Sequence, residues 1–76
     1  MNQATARNVP IKGKLAASVG YDLDVVVLLN GTGRFYLGTM SPLTGPVSRE
    51  SVEYWDSQEE ALDALESGDW TQRDHP

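Results

Sequence analysis

The run Tyr21–Leu29 (YDLDVVVLL), followed at once by Asn30-Gly31-Thr32-Gly33, constrains the fold of this chain more than any other stretch. Leu23, Val25, Val27 and Leu29 alternate onto one side while Val26 and Leu28 supply a second apolar side. That pattern marks a central strand, partly covered on both faces or shielded in an oligomer. Asn and Gly tolerate positive φ, so the next four residues make a tight hairpin and Arg34–Met40 returns antiparallel. The Asn30-Gly31-Thr32 triplet also matches the glycosylation pattern, but the turn explains it without an export signal. Ser41–Pro46 is dense in breakers and forms a loop or wide turn. Beyond it Val47–Tyr54 alternates as a third strand, with Val52 and Tyr54 on one face and Arg49, Ser51 and Glu53 towards solvent.

Upstream, Val9, Ile11, Gly13, Leu15 and Ala17 alternate with Pro10, Lys12, Lys14 and Ala16, which predicts a further strand. Pro10 and Gly13 confine it to an edge. Residues 1–8 and 71–76 have no period and are expected to be loose.

Downstream of the sheet, Ser57-Gln58-Glu59-Glu60 is a capping box and Ser67-Gly68 a natural stop. A helix of about ten residues is marginal by itself. Ala61, Leu62 and Leu65, with Gln58 at the margin, therefore dock it on the sheet, and Trp55 and Trp70 lock its two ends. The predicted fold is an α+β domain: an antiparallel sheet of three or four strands with one C-terminal helix packed on one face. At 76 residues it is one domain that buries only ~60% of its unfolded surface, so its core is thin.

The chain lacks cysteine, which excludes disulfides, thiolate zinc sites and cysteine nucleophiles. Its apolar runs are too short to span a bilayer and no signal-like stretch opens it, so a cytoplasmic protein is expected. The net charge of −5 divides unevenly: +3 up to Arg49 and −8 from Glu50 onward. Such asymmetry repels nucleic acid and anionic membrane and attracts basic protein surfaces.

From Glu50 to Asp69 there are eight acids and no Lys or Arg. At helical spacing Asp56, Glu59, Asp63 and Glu66 form one outward column, flanked by Glu60 and Asp69 and preceded by Glu53. These seven carboxylates are the candidate partner-binding residues. Ordinary solvation is the plain reading of a charge run. Against it, like charges three and four apart cost a few tenths of a kcal/mol each, roughly, and no cation in the last turn relieves them. A ladder of fixed carboxylates can imitate phosphates in a groove built for nucleic acid.

Catalytic, cofactor and metal sites are not expected. The carboxylates are predicted exposed, Asp22 and Asp24 supply too few oxygens for a hard cation, and the single histidine, His75, sits near the C-terminus. Gly31-Thr32-Gly33 is followed by a strand, so it is a turn and not a phosphate cradle. Two rival functions remain open. A nucleic-acid module would use the sheet with Arg34, Lys12 and Lys14, and would stack bases on Tyr21, Phe35, Tyr36 and Tyr54. A homo-oligomeric structural subunit would bury Val26, Leu28 and Tyr36 in a self-interface.

Strands followed by Tyr54-Trp55-Asp56-Ser57-Gln58-Glu59-Glu60-Ala61-Leu62 resemble the arm-site DNA-binding domains of phage tyrosine recombinases, over roughly Asp22 to Gly68. Those domains bind DNA through a basic sheet, whereas this chain carries few basic residues there. In size, acidity and lack of catalytic residues the chain is also similar to the small phage-encoded inhibitors of the anti-CRISPR type. That resemblance implies a non-enzymatic inhibitor, monomeric or homodimeric in the host cytoplasm, that occupies a basic protein groove and does not itself bind nucleic acid.

Overall fold

The computed structural model describes residues 11–75. Five elements follow one another: α1 (Lys14–Ser18), β1 (Val26–Leu29), β2 (Phe35–Ser41), β3 (Gly45–Arg49) and α2 (Gln58–Ser67). The strands form one antiparallel sheet in the order β1-β2-β3, and α2 packs on it, which is the α+β arrangement the sequence pattern predicts.

The first hairpin closes where Asn30 and Gly33 place it. Asn30 Oδ1 accepts the amides of Thr32 and Arg34, each at 3.0 Å, and Gly33 takes φ 85°. Val27 then lies opposite Leu37 and Leu28 opposite Tyr36. Because side chains alternate across a strand, Val27 and Leu37 share the face that meets α2, while Leu28 and Tyr36 share the other. Val25, Leu37 and Ala61 form the buried core, with Val27, Phe35, Trp55, Leu65 and Trp70 packed against it. Both tryptophans thus hold the ends of α2, as expected.

The helix itself begins and ends as predicted. Ser57 Oγ accepts the Glu60 amide at 3.1 Å, and Gly68 closes the last turn at φ 79°. Its docking stripe differs. Ala61 and Ala64 are buried and Leu65 half-buried, whereas Leu62 is exposed. The two alanines let the helix backbone approach the sheet, and Leu62, about 100° round from Ala61, falls at the edge of that contact.

Four predicted boundaries change. The strand read at Val9–Ala17 is a short bridge, Lys12 opposite Asp24, after which the chain turns into α1; its Val9 and Pro10 and the arm 1–8 lie outside the described residues. Leu15 and Ala16, neighbours in sequence, are both buried, which a solvent-facing edge strand with one inward side does not do. Regular strand in Tyr21–Leu29 begins only at Val26, and Leu29 at its end is exposed. The breaker-rich stretch is narrower than predicted, because Ser41 pairs with Gly45 and the Ser41 hydroxyl accepts the Leu43 amide at 3.1 Å.

The third strand ends at Arg49, not Tyr54. The Leu37 carbonyl accepts both Glu50 N and Ser51 N, at 2.8 and 3.0 Å, a bulge that turns Glu50 inward and leaves Val52 exposed. Ser51 Oγ restores the ladder by accepting the Leu37 amide at 3.0 Å, and Trp55 pairs again with Phe35. Thr71 to Arg73, expected to be loose, instead run beside this kink: Val52 N donates to Thr71 O at 2.9 Å and Arg73 N to Glu50 O at 2.8 Å.

Candidate functional site

Helix α2 presents Glu59, Glu60, Asp63 and Glu66 to solvent, and Asp69 follows just past Gly68. Residues 60, 63, 64 and 67 lie three and four apart and so share one side of the helix. There Glu60, Asp63, Glu66 and Asp69 line an open groove of about 430 Å³ together with Trp55, Ala64 and Ser67. The indole of Trp55 gives this acid-lined groove an aromatic wall.

The seven sequence-predicted carboxylates therefore separate. Four gather at the groove, and Glu59 lies exposed on the same helix. Asp56 is held by Arg34, with Nε 3.2 Å from Oδ1. Glu53 faces the C-terminal segment, its carboxylate accepting Thr71 N at 2.9 Å and Thr71 Oγ1 at 2.7 Å. Burial pushes the Glu53 carboxyl up, but those hydrogen bonds outweigh it and hold the pKa below its ordinary value.

Charge pairing sets the α2 face apart. Among the described residues the ion pairs are Lys12 with Asp22 and Asp24, at 3.3 and 2.9 Å, and Arg34 with Asp56. None reaches Glu59, Glu60, Asp63, Glu66 or Asp69. Glu59 and Glu60 sit in the first turn, where the helix dipole favours them, but Glu66 lies in the last turn, which has no basic residue.

The same pairs engage two of the three basic residues that a nucleic-acid module would need, Lys12 and Arg34, and leave Lys14 exposed outside them. Lys12 is engaged by two aspartates, whose hydrogen bonds raise its pKa, Asp24 more than Asp22. Two of the four aromatic residues, Tyr36 and Tyr54, are engaged too. Tyr36 and Tyr54 meet edge to face with centroids 6.0 Å apart, and the guanidinium carbons of Arg49 and Arg34 lie 4.7 and 5.9 Å from the Tyr54 centroid. Arginine thus covers the ring on which a base would stack.

Sequence reasoning missed Glu50. Counted there as one acid in a run, it is fully buried. Its carboxylate accepts Leu15 N at 3.1 Å, Ala16 N at 3.0 Å, Ser48 Oγ at 2.6 Å and Gln72 Nε2 at 2.7 Å. Burial raises its pKa, but the bonds from Ser48, Leu15, Gln72 and Ala16 together bring it below the ordinary value. The carboxylate caps α1 across 35 residues of sequence and ties it to β3 and the C-terminal segment. The one local signal is the alternation itself, which puts Glu50 on the same side of the predicted strand as Val52 and Tyr54.

Among the described residues no three His, Asp or Glu side chains gather as a metal-binding group, and no helix is long and apolar enough to cross a membrane. Comparison with protein-family models, curated proteins and solved structures returned no match.

Proposed function

We propose that this chain is a non-enzymatic protein-binding inhibitor that lays the acidic side of α2 against a basic, nucleic-acid-binding groove of a partner protein. One observation carries the reading: five exposed carboxylates on and just after α2 have no cationic partner among the described residues, while the exposed Lys12 and Arg34 are paired elsewhere. A helix selected for stability alone would place cations in its last turn. Fixed carboxylates offer a phosphate-binding groove the Coulombic and counterion-release terms that nucleic acid would supply. Docking through Glu59, Glu60, Asp63, Glu66 and Asp69 is also the mode implied by the likeness to small phage-encoded inhibitors of the anti-CRISPR type.

The test is capture of a partner from bacterial host lysate on the immobilised chain, followed by competition with duplex DNA. DNA should displace the partner, and the chain alone should not shift DNA in a gel. The triple variant E59Q/D63N/E66Q should bind weakly and with a flattened salt dependence while keeping its fold. Unchanged affinity in that variant overturns the reading.

A further inference from the structure

A second charged cavity lies outside the acidic groove. Arg49, Val52, Arg73, Asp74 and His75 line a space of about 280 Å³. Both arginines are held by neutral groups. Arg49 Nη1 donates to the Tyr54 hydroxyl and Arg73 Nη1 to the Arg49 carbonyl, the latter at 3.2 Å. The backbone of Arg73 is fixed as well, through its amide bond to Glu50 O at 2.8 Å.

Two guanidiniums at one cavity, neither of them ion-paired among the described residues, is unusual in a chain with 11 acids against six Lys and Arg. Among the described residues neither Arg49 nor Arg73 forms an ion pair, and Asp74, though it lines the same cavity, is not within ion-pair distance of either. Arg49 Nε is buried with no hydrogen-bond partner, so the Arg49 charge is under-satisfied by the described residues, and an anion at the outer guanidinium nitrogens would offset that cost.

We propose that this cavity is an oxyanion site in which a phosphate or carboxylate group is held between Arg49 and Arg73, with the His75 imidazole as a further donor. Guanidinium groups match both anions, since their N–H forks donate in pairs to neighbouring oxygens. The volume falls just below the ~300–1,000 Å³ usual for small-molecule sites. That suits a single anionic group or a small phosphomonoester. The Asp74 carboxylate opposes the anion and limits its affinity.

The experiment follows the arginine Nε–H signals by NMR while inorganic phosphate replaces chloride at constant ionic strength, with acetate in a parallel series. Saturable shifts of the Arg49 and Arg73 signals are expected. Arg73→Gln should weaken binding by about tenfold, the loss expected for one charge-assisted pair. Asp74→Asn, on the exposed end of the chain, should tighten it. The stronger of the two anions identifies the source of the oxyanion, and saturation by either upholds the site. Linear shifts with both anions, or equal affinity in wild type, Arg73→Gln and Asp74→Asn, would overturn it. The outcome is independent of the acidic face of α2.

Discussion

Glu50 packs against Gly13 where a side chain would otherwise stand: a Cβ on Gly13 would lie 2.7 Å from Glu50 Oε2 and 2.5 Å from Thr39 Cγ2. Gly13 is also the residue before α1, and its own side makes no capping hydrogen bond. The cap comes from Glu50 instead. Glycine at this position is therefore a packing requirement of the buried carboxylate, since its φ of −74° is open to any residue.

Gly13→Ala should destabilise the domain by about 1–3 kcal/mol, the range for forcing an extra methyl into a packed site. Glu50→Ala removes the acceptor of two amides, a hydroxyl and a side-chain amide, and should cost about 2–4 kcal/mol. Glu50→Gln keeps the shape and should cost less. Urea midpoints at neutral pH check the order; equal midpoints for wild type and Glu50→Ala would remove Glu50 from its central place.

Acid should weaken the fold through the same residue. The folded pKa values of Glu50 and Glu53 both lie below their ordinary value of 4.5. A lowered carboxyl contributes stability that is fully present above the unfolded pKa and is lost as pH falls through the folded one. Unfolding free energy should therefore be flat above about pH 5 and decline below 4.5. Denaturation series at several pH values should show a shallower acid limb in Glu50→Gln; an unaltered limb means the buried carboxyl does not carry the proton linkage.

The sheet and α2 were legible because local chemistry specifies them. Asn30 and Gly33 close a hairpin, and Ser57 and Gly68 bound a helix, whatever the rest of the chain does. Ile11 to Ala17 misled for the opposite reason. Its alternation is real, but α1 exists because Glu50, far along the chain, supplies the acceptor, and periodicity carries no information on such a contact. The acidic candidate site was legible as a composition, not as a geometry. Only the fold separates Glu50 and Glu53, which serve the structure, and Asp56, which pairs with Arg34, from the carboxylates left to solvent.

Gly38 is the other place where a missing side chain matters. An added Cβ would run into the Ser48 carbonyl of the adjacent strand and lie 2.9 Å from Tyr36 Cε2. The first neighbour is backbone and cannot yield without disturbing the β2–β3 ladder. Gly38→Ala should cost about 2 kcal/mol by overpacking, visible as a lowered melting temperature. Tyr36→Ala in the same background should recover little, because the tyrosine is the softer of the two contacts.

Glu66→Lys separates stability from function on α2. Glu66 lies in a last turn with no basic residue and shares the helix with Glu59 and Asp63, so a cation there relieves both the dipole and the like-charge repulsion. The variant should be more stable by about 0.3–1 kcal/mol, read from urea denaturation at low salt, with the gain shrinking as salt is added. Binding to the captured partner should fall at the same time, since a repulsive charge now faces the basic groove. A gain in stability without loss of binding would identify the acidic face as solvated surface and move the search for the partner to another side of the molecule.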